Sequence, residues 1–252
     1  ENKIDNVLLG DSYVHGNCKD DDTIFPGIIK KKYEKTLNLG MWGSGPLLQY
    51  AILKEYAQSK KPKKVFWFFY ENDLKDLEFE YKNKILLKYA NKDFSQELLN
   101  KQEQINTIKN KKSFASFLNH ADKKNTRNLI SEITKISKLT RLRKKLSLVY
   151  GWKNLESSKY LKKIYKNADS IVSEWNGKIY VVYLPGWPSI KNNFEFKGRR
   201  IFFNALENTN IQIIDLLPIF KNIKNPERLY DFGGHYSKLG NEIVAQEILR
   251  FI

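Results

Sequence analysis

Gly10-Asp11-Ser12-Tyr13-Val14-His15-Gly16 follows directly on the short apolar run Val7-Leu8-Leu9. A serine placed where a buried strand gives way to a turn is held rigidly, with its hydroxyl exposed and backbone N–H groups nearby. Those are two requirements of an activated nucleophile. Gly-Asp-Ser is also common turn chemistry, so the segment alone decides nothing. A nucleophilic serine needs a base, and one histidine is well placed to supply it: His235 ends Asp231-Phe232-Gly233-Gly234-His235, just before the last helical pattern. Two further segments offer donors for a developing oxyanion. One is Asn38-Leu39-Gly40-Met41-Trp42-Gly43-Ser44-Gly45-Pro46, and the other is Tyr70-Glu71-Asn72-Asp73.

These segments must be positioned by something regular. Five β-rich runs precede or separate them: Asn6–Leu9, Thr36–Leu39, Lys64–Tyr70, Lys178–Leu184 and Ile211–Ile214. Most are continuously apolar rather than alternating, which suits strands covered on both faces. Helical periodicity lies between several of them, for example Leu161, Ile164, Tyr165, Ala168, Ile171, Val172 and Trp175, and again Ile243, Val244, Glu247, Ile248 and Phe251. Strands alternating with helices predict an α/β protein: a mostly parallel five-stranded sheet between two helical layers, with right-handed crossovers. In such folds ligands sit at the carboxyl ends of strands.

The chain of 252 residues suits one domain with an insertion. Its formal charge of +16 is uneven. Residues 1–77 carry +1, residues 78–175 carry +12 and residues 176–252 carry +3. The segment from about Glu78 to Ser157 is too long for one crossover, lysine-rich and helical in pattern, and is read as a basic helical insertion within a single domain, 1–252. Within it, Arg141-Leu142-Arg143-Lys144-Lys145-Leu146 mixes cations and leucines, as a helix on an anionic membrane surface or an acidic polysaccharide does. An amphipathic helix with a solvated face gives the same pattern. The longest apolar run, Val65–Tyr70, is far shorter than the roughly 18 residues a membrane span needs. Only a few residues precede the first strand, which fits a mature or trimmed chain and favours a periplasmic or cell-envelope location. One cysteine, Cys18, excludes an internal disulfide and a cysteine-rich zinc site. The three histidines, His15, His120 and His235, have no metal-ligand spacing. No metal or cofactor is expected.

Taken in order, the four segments at strand ends resemble the serine, glycine, asparagine and histidine blocks of the SGNH hydrolases, the GDSL lipase/esterase superfamily. The resemblance covers roughly residues 6–77 and 176–252. It implies the flavodoxin-like fold of that family and a serine esterase. Ser12 matches the nucleophile and His235 the general base. The oxyanion hole would be formed by the Ser12 N–H, the Gly43 N–H and the Asn72 amide. Gly43 lies five residues after Asn38, as the family spacing has it, with Gly40 and Gly45 as fallbacks. Two positions depart from the family pattern. Tyr70 stands where glycine is usual, and Asp231 lies four residues before His235 rather than three. A bulged loop would bring Asp231 onto the imidazole and complete a triad; a backbone carbonyl orienting the ring would leave a dyad.

Gly45-Pro46-Leu47-Leu48-Gln49, Phe69–Leu74, Val182–Pro185 and Gly234–Asn241 further resemble bacterial SGNH domains linked to polysaccharide O-acylation. That implies O-acetyl esterase or O-acyltransferase chemistry on an acylated carbohydrate or small ester. Asp11, Trp42 and Tyr236 are candidate substrate-binding residues; Trp42 and Tyr236, like Tyr13 and Trp187, are aromatics near strand ends, placed either to stack on a sugar or to pack in the core. The alternative is a non-catalytic glycan-binding or scaffolding module. Nucleic acid is not an expected partner, because no recognised motif for it accompanies the basic region.

Overall fold

The structure, a computed structural model, describes residues 3–16, 20–107, 155–191, 197–231 and 234–252. The chain separates into two compact units, Glu1–Gln96 with Leu155–Ile252, and Glu97–Asn154. The first is built on five parallel strands: β1 (Asn6–Leu9), β2 (Thr36–Asn38), β3 (Lys64–Tyr70), β4 (Lys178–Leu184) and β5 (Gln212–Asp215). Their order across the sheet is β2-β1-β3-β4-β5. The register is continuous, with Leu8 opposite Asn38 and Phe66, and Trp67 opposite Val181. This is the doubly wound order, in which the strand order reverses between β1 and β3, and the crevice above that point is where such folds bind ligands.

The strands read as unbroken apolar runs because each face meets a helical layer. Val7, Leu9, Val65, Trp67 and Phe69 point into one core, against α3 (Pro46–Ile52), α4 (Asp73–Glu80), α6 (Leu155–Ser173) and α8 (Lys197–Leu206). Leu8, Phe66, Phe68, Val182 and Leu184 point into the other, against α1 (Ser12–His15), α2 (Phe25–Lys32), α9 (Leu217–Lys221) and α10 (Lys238–Leu249). The two short helices α5 (Lys84–Lys88) and α7 (Trp187–Lys191) complete the unit. The period-2 alternation of side chains is therefore intact, but both halves of it are apolar.

The expected insertion begins later than composition suggests. Residues 78–96 and 155–157 belong to the sheet unit, so the division falls at 97–154 rather than 78–157. The reason lies after α3, where the helix widens to a π-turn over Leu53–Ala57 and Lys54 and Glu55 are buried. Glu55 accepts hydrogen bonds from the Tyr89 hydroxyl (2.5 Å), the Ser95 hydroxyl (3.0 Å) and the Gln96 N–H (2.6 Å). The Lys54 ammonium donates to the carbonyls of Lys92 and Phe94. A buried carboxylate and ammonium need such partners, and residues 89–96 supply them. In the second unit a 3₁₀ turn, Leu98–Lys101, leads into helix at 102–107. The basic run Arg141–Leu146 lies outside the described residues.

Candidate active site

The β1 strand ends at Leu9, and the chain turns at once into α1, a single helical turn starting at Ser12. Asp11 caps it: its carboxylate accepts the Tyr13 N–H at 3.0 Å, and its backbone carbonyl accepts the N–H of His15 at 2.9 Å. Gly16 closes the turn in the left-handed region at φ 99°, where its N–H reaches the Ser12 carbonyl. The serine is thus presented on a short, fully capped turn at the carboxyl end of the sheet.

His235 comes to it from the other end of the chain. Ser12 Oγ lies 3.1 Å from His235 Nε2, across 223 residues of sequence. Several contacts hold the histidine loop in place. The Tyr13 hydroxyl donates to the Gly234 carbonyl at 2.7 Å, and the Tyr13 ring packs against the imidazole at 4.7 Å between centroids. The Asp231 N–H donates to the His235 carbonyl at 2.8 Å, and the Gly234 N–H to the Asp231 carbonyl at 3.0 Å. Behind the loop, Ser237 caps α10 by accepting the Gly240 N–H. Asn241 ties three segments together, donating to the carbonyls of Tyr236 and Ser237 while accepting the Phe25 N–H at 3.1 Å.

The segment after β2 runs beside the serine turn. The Met41 N–H donates to the Gly10 carbonyl at 2.9 Å, and the Asn38 amide donates to the Val14 carbonyl at 2.9 Å. Gly43 sits at the exposed tip with φ 72°, a conformation that disfavours a side chain. A chain of polar contacts anchors this loop to the sheet: Trp67 Nε1 donates to Gln49 Oε1, whose amide donates to the Ser44 carbonyl at 2.8 Å. On the other side, Asn72 follows β3 by two residues, exposed, with its amide donating to Asp76 at 2.7 Å and lying beside the Asp11 carboxylate.

Comparison with known proteins gives a fold and no closer kinship. No protein-family model matches the sequence, and no curated protein matches it. Solved structures do. An acetyl xylan esterase superposes with a TM-score of 0.56 at 13% identity, covering 99% of this chain and 100% of that one. A lipase/acylhydrolase from Enterococcus faecalis gives 0.54 at 13%, over 98% and 94%. A G-D-S-L-family protein from Desulfitobacterium hafniense DCB-2 gives 0.51 at 12%, over 99% of both. The chain has the SGNH-hydrolase fold.

Within that SGNH fold, Ser12, Gly43, Asn72 and His235 all lie at surface-facing ends of the elements that carry them. Two expected substrate contacts do not. Asp11 is 2% exposed and is consumed in capping α1; Tyr236 is 1% exposed and donates its hydroxyl to the Pro185 carbonyl at 3.0 Å. At this burial both side chains act first in the framework of the site, although Tyr236 also lines the small cavity shared by Ser12 and His235. Trp42 is the opposite case, 71% exposed on the Gly43 loop beside the exposed Met41. The sequence reading overlooked Asp76 and Glu80. Their signal was the four-residue spacing Asn72, Asp76, Glu80, which a helix stacks on one face.

Acid groups crowd beneath the site. Burial pushes the Asp11 carboxyl up to about 6, against the pull of the Tyr13 N–H and with help from the Asp76 charge. Burial likewise pushes Glu80 up to about 7, against hydrogen bonds from Gly45 and Leu47. Wholly enclosed Asp73 is held well above the carboxylate range, first by burial and then by Asp11. The folded state binds these protons more tightly than the unfolded chain, whose values are 3.8 for Asp and 4.5 for Glu. The stability tied to them is complete at low pH and is lost as pH rises through about 6 and about 7. Asp11→Asn keeps the capping oxygen and removes one titration. Its melting temperature is therefore expected to gain on that of the wild type as pH is raised from 4 to 8. A constant gap across that range would contradict the assignment.

Proposed function

We propose that this protein is a serine esterase that removes O-acyl groups, O-acetyl foremost, from a cell-surface polysaccharide. The observation that supports this most is the 3.1 Å approach of Ser12 Oγ to His235 Nε2 beyond the carboxyl end of β1. In this reading Ser12 Oγ attacks the ester carbonyl carbon while its proton passes to His235 Nε2. The carbonyl oxygen takes up the negative charge and is met by the N–H groups of Ser12 and Gly43 and the Asn72 amide. The tetrahedral species collapses, the bond to the sugar oxygen breaks, and His235 returns the proton to that oxygen. Water then attacks the acyl-enzyme by the same route and releases the acid; a sugar hydroxyl attacking instead gives transfer. Asp231, joined to His235 through the backbone, is the candidate to orient the ring.

The likeness to an acetyl xylan esterase supports a carbohydrate ester as substrate. Trp42, standing clear of the surface beside Gly43, supplies an apolar face on which a sugar ring can stack. The test is direct. A serine-directed phosphonate should label the protein at Ser12, and acetate should be released from an acetylated polysaccharide such as acetylated xylan. Acylated product appearing only when an acceptor glycan is added would identify a transferase. Labelling elsewhere, with no ester turned over, would remove the proposal.

A further inference from the structure

Three carboxylates line one face of the helix that follows β3. Asp73, Asp76 and Glu80 are three and four residues apart on α4, and Asn72 stands one turn before Asp76. Each reaches a different part of the site. Asp73 Oδ2 accepts the Tyr70 N–H at 3.1 Å and closes the turn out of the strand. Asp76 Oδ2 accepts from Asn72 Nδ2 at 2.7 Å. Glu80 crosses to the neighbouring helix, where its two oxygens accept the N–H groups of Gly45 (2.7 Å) and Leu47 (2.9 Å).

These contacts answer two difficulties of an oxyanion site built on the surface. An exposed asparagine samples several rotamers, and an amide that points at random stabilises nothing. Its NH₂ group has two hydrogens; one goes to Asp76 and the amide also lies against the Asp11 carboxylate, so the two carboxylates together set its plane. The second difficulty is the Gly43 loop, where a Cβ added at the exposed tip would meet nothing within 4 Å. It is pinned on both sides: Met41 hangs from the Gly10 carbonyl, and Gly45 hangs from Glu80. The approach at Gly45 is close enough that a Cβ there would lie 2.8 Å from Asp76 Cβ and 2.8 Å from Glu80 Oε2.

We propose that Asp76 and Glu80 are positioning residues for the oxyanion site, Asp76 directing the Asn72 amide and Glu80 fixing the loop that carries Gly43, a role that rests on the esterase reading above.

The test uses the full chain, with kcat and KM measured on a small acetyl ester and melting followed in parallel. Asp76→Ala is expected to lower kcat about 10- to 100-fold, less than outright loss of a donor, with KM nearly unchanged. Asp76→Asn keeps an acceptor oxygen for Asn72 and is expected to restore most of the rate. The pair Asp76→Ala with Asn72→Ala should be no slower than Asn72→Ala alone, because the first change acts only through the second residue. A loss of stability alone would not produce that non-additivity. Glu80→Gln, which leaves one good acceptor for two N–H groups, is expected to lower kcat several-fold. Full activity in Asp76→Ala, or losses that multiply in the double variant, would overturn the proposal. If the wild-type protein neither turns over the ester nor reacts at Ser12, the esterase reading fails first and takes this proposal with it.

Discussion

Ser12→Ala is expected to lower kcat/KM on a small acetyl ester by about 10⁴-fold or more, the scale on which removing a nucleophile from a serine–histidine pair acts. The geometry makes this the largest effect available. The Ser12 hydroxyl faces the His235 imidazole, on a turn whose conformation depends on Asp11 and Gly16 and not on the serine side chain. Alanine therefore preserves the capped turn and deletes only the oxygen. Labelling by a serine-directed phosphonate should vanish with it, while melting stays close to wild type. Binding of an acetylated glycan, measured by calorimetry, should survive, because Trp42, the sugar contact proposed above, lies on a different loop. Retained turnover in this variant would exclude an acyl-enzyme on Ser12. Retained binding by a wild type that never turned over ester would favour a glycan-binding module.

The second large effect is that of His235→Ala, expected to reduce kcat by about 10³-fold or more by leaving the serine without a base. The informative measurement is the double variant. Residues that act as a unit are not additive, so Ser12→Ala with His235→Ala should be no slower than Ser12→Ala alone. Independent losses that multiply would mean that the 3.1 Å contact is not catalytic. The same assay separates triad from dyad. Asp231→Asn should cost on the order of 10⁴-fold if the carboxylate sets the tautomer of the ring, and little if a backbone carbonyl does so.

Much of the scaffold was legible because it is encoded locally. Three strands have the bounds read from their apolar runs; β2 ends one residue earlier than expected and β5 is shifted by one. That accuracy follows from parallel strands buried on both faces, whose runs of valine, isoleucine and aromatics stop abruptly at polar turns. The insertion boundary was less legible. Lys82, Lys84, Lys88 and Lys92 make residues 78–96 read as part of a basic appendage, yet Tyr89 is in the core and Glu55 is satisfied from 89–96. Composition counts charges, whereas folding depends on which few side chains find a buried partner.

The site divides in the same way. Residue type and position marked Ser12, Gly43, Asn72 and His235, each standing where a regular element stops, and stopping points are written into a few neighbouring residues. What stands beside what was decided only in three dimensions. Asp11 and Tyr236 had the chemistry of substrate contacts but lie beneath the surface, and Asp76 and Glu80 belong to no motif and were passed over. Local sequence determines where a strand ends and a turn begins. Burial, and the meeting of two residues 223 positions apart, depends on how five strands and two helical layers stack, and that is settled by the whole chain.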